Sequence, residues 1–218
     1  MKLHLGCGEQ YLEGYRNIDQ PPSSHTVQAK SVADEHADLS ALRYPSGSID
    51  EVRNHHVFEH FPRPVAIALV ASWASWIRPG GRLHVEVPDF VRTARSVLSP
   101  FASRQRRLVG IRHLFGSHEA PWAVHWEGWS AETLGGVFAL CGFEVEEVRR
   151  TRWKNIFSVH VLARRTAAPA RREELEPRVR SWLVNYLVDD SAGELRLLDV
   201  WMDAYRAQLE RTWALPAA

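Results

Sequence analysis

The chain has 218 residues, of which 45% are hydrophobic and 24% charged, and its formal net charge is +1. These values are typical of a globular protein with one domain and an appendage, or with two small domains, and the small net charge gives no general argument for nucleic acid as a partner. Two cysteines are too few for a disulfide framework, and no apolar run approaches the roughly 20 residues that span a bilayer, so we expect a reducing cytoplasm, no membrane span and no secretion signal.

The first predicted strand, residues 2–5, ends at two glycines that are one residue apart, Gly6 and Gly8, with Cys7 between them. Glycines can adopt positive φ and allow a ligand to lie against the backbone, and Cys7 fits as a small residue in the turn. The second predicted strand ends at Asp19, whose carboxylate could bind both hydroxyls of a ribose. A plain tight turn followed by a surface acid is the alternative.

The next segments place further polar residues after short strands. Residues 20–33 are predicted as loop, and a short segment then ends at Asp38. A strand over 49–56 ends at His55 and His56, which strand periodicity predicts to point to opposite faces of the sheet.

A helix is predicted over 64–77, because apolar residues recur there at helical spacing after an early proline. Pro79-Gly80-Gly81 should end this helix, and a strand over 82–87 follows. Strands that alternate with helical or loop connections predict an α/β fold with a mostly parallel sheet.

Residues 90–129 interrupt this alternation with two helices, 91–98 and 104–114, and an irregular loop over 115–129 that is rich in glycine, histidine and tryptophan. An insertion of this kind in a compact domain is typical of a substrate-binding lid.

Three elements follow the insertion: a helix over 130–140 and two strands over 143–150 and 157–165. The short connection between the strands predicts an antiparallel hairpin at the end of the sheet.

The remaining residues, 166–218, are predicted to form a C-terminal helical extension to the domain over 1–165. A linker over 166–172 precedes two amphipathic helices, 173–189 and 192–213, and Ser191 with Glu194 has the form of a capping box. This helical hairpin could pack on the sheet domain or on a second copy of the chain, giving a homodimer.

Taken together, these segments resemble class I S-adenosylmethionine (SAM)-dependent methyltransferases, in particular the type 11 group and short bacterial methyltransferases linked with surface-polysaccharide synthesis. The resemblance covers residues 2–165 and rests on seven pieces in the family's order: residues 3–8, 14–19, 37–39, 49–52, 56–60, 78–83 and 141–143. It implies a Rossmann-like methyltransferase sheet, SAM as cofactor, and a cytoplasmic bacterial enzyme. His4 and Gln10 depart from the family, which often has an acid and a third glycine at those positions.

The resemblance also implies roles for the residues after the strands. Gly6, Cys7 and Gly8 would lie against the methionine tail and the ribose of SAM, and Asp19 would accept hydrogen bonds from the two ribose hydroxyls. These roles make the glycine turn the centre of the cofactor site.

Asp38 would accept a hydrogen bond from the adenine amino group, with Leu39 facing the ring; capping of the following turn is the alternative for Asp38. His55 and His56 would line the methionine pocket.

Two histidines are the catalytic candidates. His125 lies in the tryptophan-rich loop and is favoured as a base, or as a residue that orients the acceptor. His60 follows Glu59 in a family-like pair and is either a second candidate or a structural residue. No HExxH or CxxC pattern is present, so we expect no metal site.

The sequence thus favours methyl transfer to an oxygen of a small polar acceptor, a sugar or glycan precursor. Trp122, Trp126 and Trp129 could bind such an acceptor or could equally anchor the lid to the core. N- or O-methylation of a specialised metabolite and a non-catalytic subunit with the SAM fold are the alternatives.

Overall fold

The structure is a computed structural model that describes residues 1–24, 27–28, 30–166 and 171–216. The strands within these residues are β1 (Lys2–Leu5), β2 (Arg16–Asp19), β3 (Glu35–His36), β4 (Ile49–His55), β5 (Ile77–Pro88), β6 (Phe143–Trp153) and β7 (Ile156–Arg165). The α-helices are α1 (Arg63–Trp76), α2 (Phe90–Leu98), α3 (Arg104–Phe115), α4 (Ala131–Leu140), α5 (Arg172–Val184) and α6 (Ala192–Thr212).

All the strands belong to one sheet with the order β3-β2-β1-β4-β5-β7-β6. The pairs from β3 through β5 are parallel, whereas β7 is antiparallel to both β5 and β6. The predicted Rossmann-like sheet, mostly parallel with an antiparallel end, is confirmed. The carboxyl ends of β1, β2 and β4 lie side by side at one edge, where open α/β sheets bind ligands.

The boundary between α1 and β5 differs from the prediction. α1 ends at Trp76, and β5 begins at once with Ile77, which pairs with Ile49 of β4. Gly80, with φ of +77°, therefore lies inside the strand and not in a separate turn, and the pairing register shifts between Ile49 and Glu51. β5 thus continues through residues that local propensity assigns to a loop, although Ile77 and the residues from Arg82 onward are the ones that pair with β4.

The connections from β1 to β4 contain short 3-10 turns, residues 22–24 and 39–41, and no α-helix within the described residues. Parallel strands usually need a crossover helix to cover the sheet. Here α6 packs against both α1 and the 39–41 turn, and Gln208 Nε2 donates to Ser40 O at 2.8 Å. The C-terminal helix thus lies beside the connection from β3 to β4, which has no helix of its own.

The C-terminal extension shares one hydrophobic core with the sheet domain. Its buried apolar side chains belong to the same cluster as those of β1, α1 and β5; they are Leu175, Val179, Leu183, Leu198, Met202, Tyr205 and Leu209. The predicted helical hairpin therefore packs on the sheet domain of its own chain.

Two details of the extension differ from the prediction. α5 ends at Val184, five residues early, and the Asn185 side chain donates to the carbonyl oxygens of Ser181 and Trp182. Ser191 caps α6, but the Glu194 carboxylate accepts from Val188 N and so does not complete a capping box. Most of the predicted linker, residues 167–170, lies outside the described residues.

None of the helices in the described parts of the chain is both long enough and apolar enough to cross a membrane.

Candidate active site

A cavity of about 930 Å³ lies at the carboxyl edge of β1, β2 and β4. Eight of the predicted site residues line it: Gly6, Cys7, Gly8, Asp19, Leu39, His55, His56 and His60. Asp38 and His125 are not among its lining residues. The sheet edge thus brings together most of the side chains that the sequence placed in one cofactor site.

The glycine turn is held by the second strand. Gly6 N and Cys7 N donate to Ile18 O at 2.8 and 3.3 Å, and Gly8 N donates to Asp19 Oδ2 at 2.7 Å. The backbone amides of the turn are therefore bonded to β2, and they do not point at the cavity as free donors.

The surroundings of Gly6 and Gly8 differ in what an added side chain would contact. Both have positive φ, +72° at Gly6 and +56° at Gly8. A Cβ at Gly6 would lie 2.1 Å from Val57 Cγ2, whereas a Cβ at Gly8 would meet nothing within 4 Å. Packing against Val57 thus requires glycine at position 6 whether or not a ligand is bound, and the contact of Gly6 with the cofactor stays a prediction. Gly8 alone leaves open space.

Asp19 lies at the cavity wall, 5% exposed, with Oδ2 bonded to Gly8 N and Oδ1 accepting from Gln20 N at 2.7 Å. These bonds fix the carboxylate plane. The Asp19 carboxylate is thus fixed at the cavity wall, and its contact with a ribose stays a prediction.

Asp38 caps the 39–41 turn, since its Oδ1 accepts from Ser40 N at 2.8 Å, and its Oδ2 lies 3.4 Å from Arg211 on α6. The structure therefore has the capping arrangement, which was the alternative to the contact with adenine. Leu39, the neighbour predicted to face adenine, does line the cavity.

His55 and His56 do not point to opposite faces, contrary to the strand periodicity. β4 ends at His55, and His56 adopts φ of +52°, so both side chains line the same cavity. The pKa of His55 is lowered to about 3, mainly by burial and secondly by the charge of Arg53. His55 is therefore neutral at physiological pH.

His56 has the opposite electrostatic environment. Burial lowers its pKa, but the carboxylates of Glu59 and Glu86, 3.4 and 3.6 Å away, outweigh this and raise the pKa to about 10. The ring still has 44% of its side-chain surface accessible. The cavity wall thus carries a protonated imidazole beside two carboxylates.

Cys7 is buried in the turn. The pKa of its thiol is raised to about 11, mainly by burial and secondly by the charge of Asp19, so the thiol is protonated at neutral pH. This agrees with the view of Cys7 as a small turn residue that does not act as a nucleophile.

A second cavity of about 380 Å³ adjoins the first and shares His56, His60 and Trp122 with it. Its other walls come from the end of α3, the loop after it, and the facing ends of β5 and β7. His125 lines this second cavity. The lid insertion therefore forms a separate compartment next to the predicted cofactor site.

Glu59, His60 and His125 meet at the wall of the second cavity. The 58–60 turn is anchored by Phe58, whose buried ring lies 5.0 Å from that of Trp129, and the loop is held by a 2.9 Å bond from Trp126 N to Glu59 O. The rings of His60 and His125 lie 4.8 Å apart, and His125 Nε2 is 3.9 Å from Glu59 Oε1.

The Nδ1 atoms of the two catalytic candidates each face a backbone carbonyl, Val124 O for His60 and His113 O for His125, both at 3.1 Å. A carbonyl only accepts, so each Nδ1 carries a hydrogen, and Nε2 is the ring nitrogen left to meet a ligand. Burial lowers the pKa of His125, which favours a neutral His125 ring with a lone pair on Nε2.

The three loop tryptophans have different places. Trp129 is buried in the core, Trp126 is 61% exposed, and Trp122 lines both cavities, with its Nε1 donating to Ser24 O at 2.7 Å. Trp129 thus packs in the core, in agreement with an anchoring role, and the contact of Trp122 with a ligand stays a prediction.

Two glutamates at the site were not predicted. Glu59 belongs to the family-like pair at 59–60, where only His60 received a role, and Glu86 lies on β5 between the buried Val85 and Val87. A polar residue that alternates with buried apolar ones at the carboxyl end of a central strand is the signal that could have identified Glu86.

Comparisons with known proteins agree with this architecture. No protein-family model matches the chain, and no curated protein matches it by sequence. Among solved structures, a SAM-dependent methyltransferase from Methanosarcina mazei is similar over 77% of this chain and 92% of its own, with 16% identity and a TM-score of 0.50. One from Mesorhizobium loti is similar over 75% and 90%, with 17% identity and a TM-score of 0.52.

A third similar structure is the 1,6-didemethyltoxoflavin-N1-methyltransferase of Burkholderia thailandensis, which binds 1,6-didemethyltoxoflavin and S-adenosylhomocysteine. It covers 76% of this chain and 71% of its own, with 14% identity and a TM-score of 0.51. The chain has the class I SAM-dependent methyltransferase fold. Identities of 14 to 17% show the fold alone.

Proposed function

We propose that the protein is a SAM-dependent methyltransferase that binds SAM in the larger cavity. The observation that carries this proposal is the placement of Asp19, whose carboxylate is fixed by Gly8 N at the wall of a cavity at the carboxyl edge of the sheet. In α/β folds of this type, an acid after the second strand is suited to hold the ribose of a nucleoside.

The residues of the cavity fit SAM. The Asp19 carboxylate at the cavity wall suits ribose hydroxyls, the open space at Gly8 admits a ligand, and Leu39 offers an apolar wall for adenine. At the opposite end, the Glu86 carboxylate is placed to meet an ammonium group such as that of the methionine tail. SAM supplies a methyl group on a sulfonium that is already activated toward a nucleophile.

The acceptor would occupy the second cavity, beside His60 and His125. Methyl transfer requires the acceptor atom to be aligned with the methyl group and, for a hydroxyl, requires the loss of a proton. His125, neutral and with its Nε2 lone pair available, would take that proton or orient the acceptor, and His60 is the second candidate.

A small polar acceptor, a sugar or glycan precursor methylated on oxygen, is our preferred substrate class. The polar walls of the second cavity and the aromatic side chain of Trp122 support it, because sugars present both hydroxyls and apolar faces. N- or O-methylation of a specialised metabolite is the alternative within enzymes. A non-catalytic subunit is less well supported, because the cavity is open and keeps its carboxylate.

Calorimetry with SAM and with S-adenosylhomocysteine tests the function. We expect the wild-type protein to bind both, and Asp19→Ala to lose binding while its thermal unfolding stays cooperative. A panel of sugars, nucleotide sugars and aromatic metabolites then identifies the acceptor. Lack of SAM binding by the folded wild-type protein would overturn the proposal.

The homodimer and the cytoplasmic location stay predictions. The main apolar stripe of α6 packs within the chain, so a dimer through the C-terminal helices would use the exposed side of α6, where Leu195 and Val200 lie. Light scattering measures the mass in solution. Two buried, unpaired cysteines, Cys7 and Cys141, support a reducing compartment.

A further inference from the structure

We propose that Glu59, His60 and His125 form a binding site for a divalent transition-metal ion at the wall of the second cavity. One ligand atom from each of these residues lies within 4.8 Å of the other two. The sequence has no HExxH or CxxC pattern and so predicted no metal site, because two of these ligands are adjacent and the third is 65 positions away in the 90–129 insertion. Only the folding of the lid onto the 58–60 turn brings the three together.

The two histidines are held in the form that a metal requires. Each donates from Nδ1 to a backbone carbonyl, which fixes the ring and leaves the Nε2 lone pair for a ligand. Histidines that bind metals commonly donate their other ring nitrogen to a carbonyl or a carboxylate in this manner. The two rings lie 4.8 Å apart, and His125 Nε2 is 3.9 Å from Glu59 Oε1.

Glu59 supplies the negative charge of the group. It is 1% exposed, and its Oε2 has no hydrogen-bond partner among the described residues. A buried carboxylate is unfavourable unless its charge is compensated. His56 lies near Oε1 at 3.4 Å, and an ion bound to the carboxylate would add compensation that also reaches Oε2.

The distances require only a small adjustment. Zinc bonds to histidine nitrogen and carboxylate oxygen are about 2.0–2.2 Å long, so the ligand atoms around one ion lie roughly 3–4 Å apart. His125 Nε2 and Glu59 Oε1 are already 3.9 Å apart. Two imidazoles and one carboxylate favour Zn²⁺, Co²⁺ or Fe²⁺ over Mg²⁺, which prefers oxygen ligands and bound water.

Three protein ligands leave coordination positions open, and the group borders the cavity proposed for the acceptor. A divalent ion there would orient an acceptor hydroxyl and lower its pKa. The oxygen lone pair would then form the O–CH3 bond, the electron pair of the broken S–CH3 bond would stay on sulfur, and the hydroxyl proton would leave to solvent. Because its Nε2 would hold the ion, His125 would here have the second of its two proposed roles, that of orienting the acceptor, and would not take the proton. This role rests on the proposed function, whereas the binding of an ion does not.

The test uses tag-free, chelator-treated protein titrated with Co²⁺, followed by visible absorption and by competition with a metal indicator. We expect one Co²⁺ per chain with d–d bands. Binding should weaken at least tenfold in His125→Ala and in Glu59→Gln. His118→Ala is the matched control, because His118 is an exposed histidine of the same loop and lies outside the group.

Titration that shows no stoichiometric binding, or the same affinity in all variants, would overturn the metal site. If Glu59→Gln does not fold, His60→Gln and His125→Ala test the metal site instead, because both variants keep the Glu59 carboxylate beside His56. SAM calorimetry on the same samples separates the two proposals. A chain that binds SAM but does not bind Co²⁺ overturns only the metal site, and absence of SAM binding by the metal-loaded, folded chain overturns the proposed function.

Discussion

The hydroxyl of Ser72 on α1 lies 2.7 Å from the hydroxyl of Thr212 at the end of α6, and both side chains are fully buried. In the next turn of α1, Trp76 Nε1 donates to Thr212 O at 2.9 Å. These bonds join residues that are 140 and 136 positions apart in the sequence. The C-terminal helix is therefore attached to the sheet domain by specific polar contacts as well as by apolar packing.

We expect Thr212→Val to lower the free energy of unfolding by about 1–3 kcal/mol, because it leaves the Ser72 hydroxyl buried without this partner. The double variant Ser72→Ala with Thr212→Val should cost less than the sum of the single variants. Urea unfolding of the four proteins measures this coupling. Strict additivity would show that the two hydroxyls do not interact.

The glycine turn should respond differently at its two glycines. Gly6→Ala should prevent folding or destabilise the protein by several kcal/mol, because its Cβ would clash with Val57 Cγ2 at positive φ. Gly8→Ala should cost only about 1–2 kcal/mol of backbone strain, because its Cβ meets open space. Thermal unfolding ranks the two variants, and equal destabilisation would contradict the packing explanation.

The two acids after β2 and β3 should differ in their effect on the cofactor. Asp19→Ala should weaken SAM binding at least a hundredfold, or about 3 kcal/mol, through the loss of charge-assisted hydrogen bonds to ribose. Asp38→Ala should change SAM affinity less than threefold and reduce stability by about 1 kcal/mol through the lost cap. Calorimetry compares them, and a tenfold effect of Asp38→Ala would favour the adenine contact instead.

His125→Ala should keep the affinity for SAM within threefold of wild type, because His125 does not line the larger cavity. Turnover with the acceptor identified in the panel should fall at least a hundredfold, a typical loss for a residue that handles the acceptor's proton. Formation of S-adenosylhomocysteine measures the rate, with His118→Ala as the control. Unchanged turnover in His125→Ala would place the acceptor elsewhere.

Acid should destabilise the protein through Glu51 on β4. Burial raises the pKa of Glu51, but hydrogen bonds from His84 and Tyr15 and the charge of Lys2 outweigh it and lower the pKa to about 2. A carboxyl whose pKa is lower in the folded state stabilises the protein above its unfolded pKa of 4.5, and this stabilisation is lost as the pH falls toward 2.

The shift corresponds to a contribution on the order of 3 kcal/mol at neutral pH. Unfolding by urea at pH 7, 5 and 3.5 should therefore show a smaller loss of stability in Glu51→Gln than in wild type over this range, although the variant is less stable at pH 7. Parallel pH profiles for the two proteins would show that Glu51 has no such role.

Local patterns in the sequence predicted most of the fold. The apolar periodicity of α1, the caps of α4 and α6, and the hairpin of β6 and β7 depend on residues within a few positions of one another, and the structure has all of them. The glycine turn and Asp19 meet at one cavity because consecutive parallel strands present their carboxyl ends at the same edge. This part of the site follows from chain order alone.

Tertiary structure decided which distant surfaces meet. The amphipathic stripe of α6 indicates that one face of the helix is buried, but it does not specify what that face packs against. In the structure, α6 packs against α1 and the 39–41 turn. Asp38 caps the 39–41 turn because the backbone that follows it folds back toward its carboxylate. His56 shares a cavity with His55 because β4 ends one residue earlier than predicted.

The group of Glu59, His60 and His125 is the clearest case of this kind. Its members are joined by the packing of the lid on the 58–60 turn, through Phe58, Trp129 and one backbone hydrogen bond. Sequence periodicity and turn chemistry act over a few residues, whereas the approach of positions 60 and 125 depends on how the whole insertion packs against the sheet.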